Sequence, residues 1–323
     1  MEGCIREQRL RLLTYNTHWS VGTDGTYDPE RVGRVVAATS ADVAGLQEVH
    51  RNTERFEDDQ AQKISDATGS EGVTHVCFGA ALRGFPQNQA STVGEYGNAM
   101  LSRWPCVARK ELVFENARGW SQSQEPRGCL ACQYDFQGTG TLIWVITTHL
   151  GCDIFTGLEQ ARAAGELVAF ADSLGRDRTL ICGDFNTLSW QSCHRTMRGA
   201  GWVDCWLSSE AGGGRERGYF EGCTSPAPNP LLRIDYIYRH SSCVLNCDFI
   251  ETVRSGEAAV ASDHFGLLAS FSLRREGGQE AGAHEQGGGG GRKRRREGLR
   301  TGWPAHRSTR SMRRIEKNET HPN

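Results

Sequence analysis

The chain has 323 residues, of which 37% are hydrophobic and 24% are charged, and its formal net charge is −2. This composition is ordinary for a soluble globular protein with a sizeable core. No apolar run approaches the roughly 18 residues of a membrane-spanning helix, and the N-terminal residues lack the apolar region of a secretory signal. We therefore expect a protein with no transmembrane segment and no export signal.

The 12 cysteines are scattered, and several lie in apolar strand-like runs, such as Cys77, Cys132 and Cys182. Because no export signal is present, buried reduced thiols are a better interpretation than a disulfide framework. Cys129 and Cys132 have the C-x-x-C spacing, but no second Cys or His pair lies nearby in the sequence. This spacing therefore does not predict a zinc site.

Charge is unevenly distributed along the chain. Residues 274–323 contain 13 Lys and Arg and 6 Asp and Glu, a net charge of +7. Residues 1–273 contain 24 Lys and Arg and 33 Asp and Glu, a net charge of −9. Residues 274–323 are rich in Gly and Arg and poor in apolar residues, which predicts a disordered tail. Its basic run Arg292–Arg296 is typical either of a nuclear-localisation or nucleic-acid-binding patch or of a non-specific solvated tail. The acidic body argues against a broad nucleic-acid surface.

Three regions follow from these patterns: an N-terminal leader at 1–8, one folded domain at 9–273, and the basic tail at 274–323. The missing signal favours a cytoplasmic protein, and the basic run leaves the nucleus open. We expect a monomer, with nucleic acid as a partner only through the tail.

The predicted elements alternate between strands and a few helices. The first strand covers 10–15, and Asp28-Pro29-Glu30 then supplies an N-cap, a first-turn proline and an early acid, which predicts a helix. Further helices are predicted at 59–67 and 158–174. Strands are predicted at 41–47, 73–78, 98–102, 108–114, 129–136, 142–147, 179–182, 232–238, 244–250 and 265–271. This order predicts an α/β (α+β) fold with two packed sheets flanked by helices.

A long loop is predicted at 80–97, and a loop of this length is usually functional. We assign substrate choice to three loops, at 79–97, 114–126 and 207–230.

The stretch Thr179–Thr187 combines a short apolar run with Gly183, Asp184 and Asn186. Such a run predicts a buried strand that turns sharply at its end, which is where open α/β sheets bind ligands. Two positions apart in extended backbone, Asp184 and Asn186 would point the same way. Asp and Asn are also common turn residues, so an ordinary turn is an equal alternative for this stretch alone.

Polar residues recur at or just beyond the predicted strand ends. Each one has an ordinary explanation, such as a turn, a surface charge or a satisfied core histidine. Together they would place four carboxylates, two amides and two imidazoles on one face, and unpaired buried charges are costly without a functional reason. These residues are Asn16, Glu48, His149, Asp184, Asn186, Asp235, Asp263 and His264.

Seven motifs occur between Leu10 and Phe271 in the order LTYNTH, GLQEV, GNAMLSRWP, TTHL, GDFNT, RIDYI and SDHF. With this series the chain resembles the endonuclease/exonuclease/phosphatase superfamily, which includes deoxyribonuclease I. The resemblance implies a four-layered sandwich of two mainly antiparallel sheets with helices outside. It also implies hydrolysis of a phosphoester by metal-activated water, without a covalent enzyme intermediate.

The resemblance also implies roles for single residues. Asn16, Glu48 and Asp263 would hold Mg²⁺, with Mn²⁺ as an alternative, since oxygen ligands suit a hard cation. His264 would accept a proton from water while Asp235 orients its ring. The remaining roles are water positioning by Asp184, phosphate contacts by Asn186, Arg127 and Asn98, and stabilisation of the phosphate or leaving oxygen by His149.

Three function classes remain open. The first is a phosphodiesterase for a small or lipid-linked phosphoester, favoured by the acidic body. The second is a nuclease acting on DNA or RNA, and the third is a non-catalytic scaffold with the same fold. Val49 and His50 after Glu48 disfavour the abasic-site nuclease type, and RIDYIY differs from the 5-phosphatase motif. The chain looks most similar to small metal-dependent hydrolases related to GPI-anchor lipid remodelling proteins.

Overall fold

Twelve β-strands and five α-helices occupy the residues that the computed structural model describes, namely 9–70, 72–84, 94–114, 125–152, 157–209 and 219–274. The strands are β1 (Arg9–Asn16), β2 (Val43–Arg51), β3 (His75–Arg83), β4 (Glu95–Ser102), β5 (Ala108–Val113), β6 (Gly128–Asp135), β7 (Leu142–His149), β8 (Thr179–Asp184), β9 (Trp202–Asp204), β10 (Asp235–His240), β11 (Leu245–Val253) and β12 (Gly266–Leu273). The helices are α1 (Pro29–Ala38), α2 (Gln60–Asp66), α3 (Leu158–Leu174), α4 (Ser192–Gly199) and α5 (Cys205–Ser208).

All described residues belong to one compact unit, Met1–Glu276. The predicted leader at 1–8 and the predicted tail beyond Arg274 lie outside the described residues, as do parts of the three predicted substrate loops. None of the described helices is both long enough and apolar enough to cross a bilayer.

The strands form two six-stranded sheets. Sheet one has the order β11-β12-β1-β2-β4-β3, and sheet two has the order β5-β6-β7-β8-β10-β9. Each sheet has a single parallel pair at its centre, β1–β2 and β7–β8, and the described pairings are otherwise antiparallel. A helix connects each parallel pair, as such a crossover requires. The predicted sandwich of two mainly antiparallel sheets is confirmed.

Three apolar cores separate the four layers. Alternation along β1 sends Leu10 and Leu12 into the core between the sheets, where residues of sheet two such as Leu130 and Val145 meet them. The intervening Leu13 and Tyr15 face α1 and α2 on the outside of sheet one. The outer face of sheet two packs on α3 and α4 through residues that include Ile146, Ala164, Leu167, Ile181 and Met197.

Helix α1 begins where its capping residues predict. The carboxylate of Asp28 accepts a hydrogen bond from the backbone N–H of Arg31 at 2.8 Å, and Pro29 is the first helical residue. Asp59 caps α2 in the same way, through the N–H of Gln62 at 3.1 Å. Both predicted helices are confirmed.

Several predicted boundaries are wrong. Strand β2 continues past Glu48 to Arg51, because a register shift between Leu46 and Val49 accommodates one extra residue. Strand β3 continues to Arg83, which forms an ion pair with Glu95 at the start of β4. The connection between these strands is therefore 84–94 rather than 80–97. Strand β10 begins at Asp235, three residues later than predicted, and the elements α4, β9 and α5 were not predicted.

Candidate active site

The carboxyl ends of the two central parallel pairs lie face to face. Asn16 is the last residue of β1, and its Nδ2 donates to Glu48 Oε1 at 3.1 Å and to Asp184 Oδ2 at 3.0 Å. Glu48 belongs to sheet one and Asp184 to sheet two. One buried amide therefore connects two carboxylates from opposite sheets, at the strand ends where ligands bind in such folds.

Glu48 owes its position to the irregularity in β2. Its backbone has φ 59°, which is rare for a residue with a side chain, and it lies within the register shift. A bulge of this kind turns a side chain out of the regular alternation. Burial raises the pKa of the Glu48 carboxyl, although the Asn16 amide and the charge of Arg127 oppose this shift.

The close pairing at the end of β8 depends on a glycine. Gly183 has φ 151°, and a Cβ added there would lie 2.0 Å from the carbonyl oxygen of Thr148 on the parallel neighbour β7. This close approach brings His149 and Asp184 opposite each other in register.

Asn186 reaches the site by a geometry different from the predicted one. Strand β8 ends at Asp184, and Asn186 has the left-handed φ of 47°. Its backbone N–H donates to Asp184 Oδ1 at 2.8 Å, which closes a tight Asx-type turn. The expected extended backbone is therefore wrong, but the predicted convergence of the two side chains on one site is retained.

His264 and Asp235 form a buried pair. His264 Nδ1 donates to Asp235 Oδ2 at 2.8 Å, and the same oxygen accepts from Thr224 Oγ1 at 2.5 Å. The second ring nitrogen, Nε2, lies 3.8 Å from Asp184 Oδ2. Because the carboxylate fixes the proton of the neutral ring on Nδ1, Nε2 is left as the basic atom beside Asp184.

The buried charges around this pair shift the pKa values of His264 and Asp184. Burial alone would lower the pKa of His264, but the charges of Asp235 and Asp184 raise it to about 10. Burial and the charge of Asp235 raise the pKa of Asp184 to about 7. The site therefore contains more buried carboxylate charge than its own cations neutralise.

The sequence predicted that Asp235 and His264 lie at or just beyond the ends of strands, but the structure places both at the beginnings of strands. Asp235 is the first residue of β10, and His264 precedes β12. Strand β10 runs antiparallel to β8, and β12 runs antiparallel to β1. The beginnings of these strands therefore lie at the same edge as the carboxyl ends of β8 and β1.

His149 and Arg127 form the opposite side of the site. Arg127 Nη1 lies 2.9 Å from His149 Nδ1, and its Nη2 pairs with Glu125 Oε2 at 3.0 Å. A guanidinium can only donate, so Nδ1 accepts and the neutral ring bears its proton on Nε2. Nε2 lies 3.6 Å from Asp184 Oδ2 and 3.9 Å from Glu48 Oε1. Burial, followed by the charges of Arg127 and His264, lowers the pKa of His149 well below its usual value.

The side-chain amide of Asn186 adds a polar group next to this ring. It lies 3.0 Å from His149 Nε2 and 3.2 Å from the carbonyl oxygen of Leu150. The atom that donates to Leu150 is Nδ2, and the same nitrogen lies beside His149 Nε2, so its contact with the protonated ring nitrogen is a close approach of two donors rather than a hydrogen bond.

Asn98 and Asp263 lie at the margin of this cluster. Asn98 is buried in β4 and donates to the carbonyl oxygen of Gly128 at 3.0 Å, so it positions the backbone next to Arg127. The Asp263 side chain is 42% exposed, and its Oδ1 lies 3.8 Å from His18 Nδ1. Its charge acts on Glu48, whose carboxyl pKa it raises further.

The donor atoms at this edge fit a hard divalent cation. Glu48 and Asp263 supply carboxylate oxygens, and Asp235 Oδ1 is buried with no hydrogen-bond partner among the described atoms. The Asn16 amide turns its Nδ2 toward Glu48 and Asp184, while its Oδ1 accepts from the backbone N–H of His18 at 3.0 Å and keeps one lone pair for a cation. In the described part of the chain, Asp184, Asp235 and His264 form a further set of candidate ligands at this edge, within 4.8 Å of one another. The 2.8 Å hydrogen bond inside this set favours a proton-transfer role for it. Oxygen donors suit Mg²⁺ or Mn²⁺ better than zinc.

Several supporting residues were not predicted from the sequence. Thr224 has no motif around it and gives no signal. Ser262 Oγ donates to the Asn16 carbonyl and accepts from the His264 N–H, and its place in the SDHF motif was a usable signal. Gln47, from GLQEV, donates to Thr147 Oγ1 at 2.8 Å and so joins the two sheets below the site.

Known proteins share this arrangement of elements. The family model described as "Endonuclease/Exonuclease/phosphatase family" matches residues 13–264. No curated protein matches the sequence.

Solved structures of low sequence identity have the same fold. An endonuclease/exonuclease/phosphatase from Beutenbergia cavernae is 23% identical, with 82% of this chain and 72% of that chain covered and a TM-score of 0.65. A mannosyl-6-phosphatase from Bacteroides thetaiotaomicron is 17% identical, with 82% and 100% covered and a TM-score of 0.60. The human Nocturnin catalytic domain, solved with a bound sulfate anion, is 17% identical, with 82% and 94% covered and a TM-score of 0.59.

Proposed function

Because the chain belongs to the endonuclease/exonuclease/phosphatase family, whose members are generally hydrolytic, we propose that it is a Mg²⁺-dependent phosphoester hydrolase of the phosphodiesterase type. One observation carries this proposal. The basic Nε2 of His264 and the N–H of His149 both point at Asp184, with Arg127 behind His149. A water and a phosphate could occupy the space between a base and a set of donors arranged in this way.

Asn16, Glu48 and Asp263 are the residues that would hold the cation. When bound, Mg²⁺ would polarise a phosphate oxygen and stabilise charge that develops on it. The raised carboxyl pKa of Glu48 supports this assignment, since it reports a buried negative charge that lacks sufficient compensation.

His264 is the proposed general base. Its Nε2 would accept a proton from the attacking water, which Asp184 would position, while Asp235 holds Nδ1 and stabilises the imidazolium. The pKa of about 10 applies while the neighbouring carboxylates keep their full charge. The positive charge of a nearby cation would oppose the effect of these carboxylates, so we expect a lower pKa of His264 and a larger fraction of neutral ring in the metal-loaded protein.

Arg127, His149 and Asn186 are the proposed phosphate ligands. Arg127 is almost fully buried and held by Glu125, so its charge is fixed in place before the substrate binds. His149, with its pKa far below neutrality, would act as an uncharged N–H donor to the phosphate or the leaving oxygen. Asn98 would contribute indirectly, through the backbone next to Arg127.

Hydrolysis of an aryl phosphodiester with Mg²⁺ present tests the proposal. We expect chelation of divalent metal to abolish turnover, and His264→Ala to lower kcat by about 1000-fold. His75→Ala, which changes an exposed histidine at the start of β3, is the matched control and should retain activity. Full turnover in the chelated protein or in His264→Ala would exclude this mechanism. A panel of nucleic acid, inositol phosphates and phospholipids, with Asp184→Ala as the inactive reference, would then identify the substrate class.

A nuclease is the second candidate, and the basic segment 274–323 with its net charge of +7 favours it. Deleting these residues separates the two. If nucleic acid is the substrate, the remaining body should still cleave it with reduced affinity. If cleavage of small phosphoesters persists while nucleic acid is not cleaved even at high protein concentration, the tail is only an accessory binding segment.

A further inference from the structure

Three cysteine sulfurs meet at a place remote from the candidate active site. Cys77 lies on β3 in sheet one, Cys132 on β6 in sheet two, and Cys106 in the segment that joins the sheets between β4 and β5. Their Sγ atoms all lie within 4.8 Å of one another. Cys132 is fully buried, whereas Cys77 and Cys106 are half-buried and give access from the surface.

The cluster does not follow from the C-x-x-C spacing in the sequence. Cys129 packs in the outer core of sheet two, while Cys132 points into the core between the sheets. Residues three apart on a strand face opposite sides, so these two cannot act as a pair. In the folded protein, the neighbours of Cys132 are Cys77 and Cys106, which lie 55 and 26 positions from it in the sequence, and not Cys129.

The spacing of the sulfurs fits a single thiophilic ion. Thiolates bind zinc at about 2.3 Å in a tetrahedron, which places the sulfurs about 3.8 Å apart. The observed upper limit of 4.8 Å requires a contraction of about 1 Å at most. Cys106 lies outside the strands, in a segment that could supply this movement.

The cluster is also biased toward the thiolate form that metal ions require. Hydrogen bonding from Cys132 lowers the pKa of Cys106 to about 6, although partial burial opposes the shift. The same donor lowers the pKa of Cys77, and the charge of Arg109 contributes. The pKa of Cys132 is raised because its S–H donates hydrogen bonds to the sulfurs of Cys106 and Cys77. A divalent cation would displace the protons that remain on the three thiols, which would be released to solvent.

We propose that Cys77, Cys106 and Cys132 form a three-thiolate site for a thiophilic divalent cation of the zinc class, with its fourth position open to water. The site is separate from the oxygen-rich edge where the hard cation is proposed. Cys132 is opposite Val145 in register, whereas Gly128 is opposite His149, a separation of four residues or about 13 Å along the strand. Soft and hard donor sets select different ions. The bound ion would join sheet one to sheet two.

Cobalt binding to the reduced full-length protein tests this proposal, because a sulfur-to-cobalt charge-transfer band arises only from thiolate ligands. We expect this band with one equivalent of Co²⁺, and its loss when Zn²⁺ is added. Cys106→Ser and Cys132→Ser should each abolish the band and weaken Zn²⁺ affinity at least about 100-fold, measured by competition with a chromophoric chelator. Zn²⁺ should raise the Tm of the wild type but not of these variants.

Two control variants exclude adventitious thiol binding. Cys193→Ser removes a buried thiol on α4, and Cys152→Ser removes an exposed one, so both should retain the band. Cys106→Ser changes a half-buried residue outside the strands, so it keeps the test decisive even if Cys132→Ser does not fold. Absence of the band in the wild type, or its persistence in Cys106→Ser, would overturn the proposal. The proposal would also be overturned if Cys77 and Cys106 form a disulfide and the reduced protein then binds no metal.

Discussion

At the scale of single residues, the protonation of His264 depends on Asp235. The carboxylate accepts from Nδ1 at 2.8 Å and is itself fixed by Thr224. We predict that Asp235→Asn lowers the His264 pKa from about 10 toward or below its ordinary value, because burial then acts without the main opposing charge. NMR titration of the metal-free protein measures this pKa without any substrate.

The same substitution should lower kcat by about 100-fold or more, since the ring loses its fixed tautomer. Asp248→Asn, which changes a carboxylate on β11 bonded to Ser272, is the control and should leave both the pKa of His264 and kcat unchanged. An Asp235→Asn variant with an unaltered His264 titration would show that another group sets the protonation of the ring.

Most residues of the candidate site could be predicted from the sequence because they lie within short motifs at element boundaries. Asn16, Glu48, His149, Asp184, Asn186, Asp235 and His264 all meet at one edge. Their roles, and those of Asp263, Arg127 and Asn98, stay predictions. Thr224 could not be predicted, because it contacts Asp235 through a loop with no periodic or motif signal.

At the scale of elements, the differences from the sequence-based prediction concentrate at backbone irregularities. The bulge at Glu48 interrupts the alternation of β2, so the pattern ends at Gln47 while the pairing with β4 continues to Arg51. The turn at Asn186 similarly replaces an extended backbone by a left-handed one. Alternation of apolar and polar residues indicates only where the strand backbone is regular. Functional positions often require an irregular backbone, such as a bulge or a left-handed turn.

Gly183 offers a direct test of the close approach between β7 and β8. We predict that Gly183→Ala destabilises the fold by roughly 3 kcal/mol or more, because its Cβ would overlap the Thr148 carbonyl oxygen, 2.0 Å away. Activity should fall as well, since His149 and Asp184 would be pushed apart. Urea unfolding measures the stability change.

Gly165→Ala is the matched control for this prediction. Gly165 lies within α3, and an added Cβ would meet nothing within 4 Å. Alanine should therefore stabilise the helix by up to about 1 kcal/mol. Equal effects of the two substitutions would show that the overlap at Thr148 is relieved by a small backbone shift.

At the scale of the whole molecule, metal binding and stability should depend on pH in opposite directions. A carboxyl with a raised pKa binds more protons in the folded state, so its contribution to the free energy of unfolding of the metal-free protein decreases as pH rises. For Asp184, with its pKa of about 7, this loss extends from the ordinary carboxyl range up to about pH 7.

The proposed Mg²⁺ site should respond in the other direction. The pKa of the proposed ligand Glu48 is raised, so protons compete with the metal for its carboxylate, and Mg²⁺ affinity should fall as the pH decreases from 8 to 6. The increase in Tm on adding Mg²⁺ should therefore be larger at pH 8, and Glu48→Gln should show a much smaller increase at either pH. A Tm response that is the same at both pH values would place the ion away from these carboxylates.

The four-layered arrangement could be predicted from the motif series, but the pairing of strands could not. Local sequence determines where a strand lies and which face is apolar. It contains no information on which distant strand becomes its neighbour, as with β9 beside β10 or β11 beside β12.

The pairing of β1 with β12 has a consequence for synthesis on the ribosome. Arg9, at the start of the first strand, pairs with Ser272 near the end of the last. In a growing chain, one edge of β1 therefore stays unpaired until nearly the whole domain has been translated. His264 emerges only just before β12, the strand that pairs with this edge of β1. Domains fold as units during synthesis, so we expect nascent chains that end before Gly266 to remain protease-sensitive and inactive.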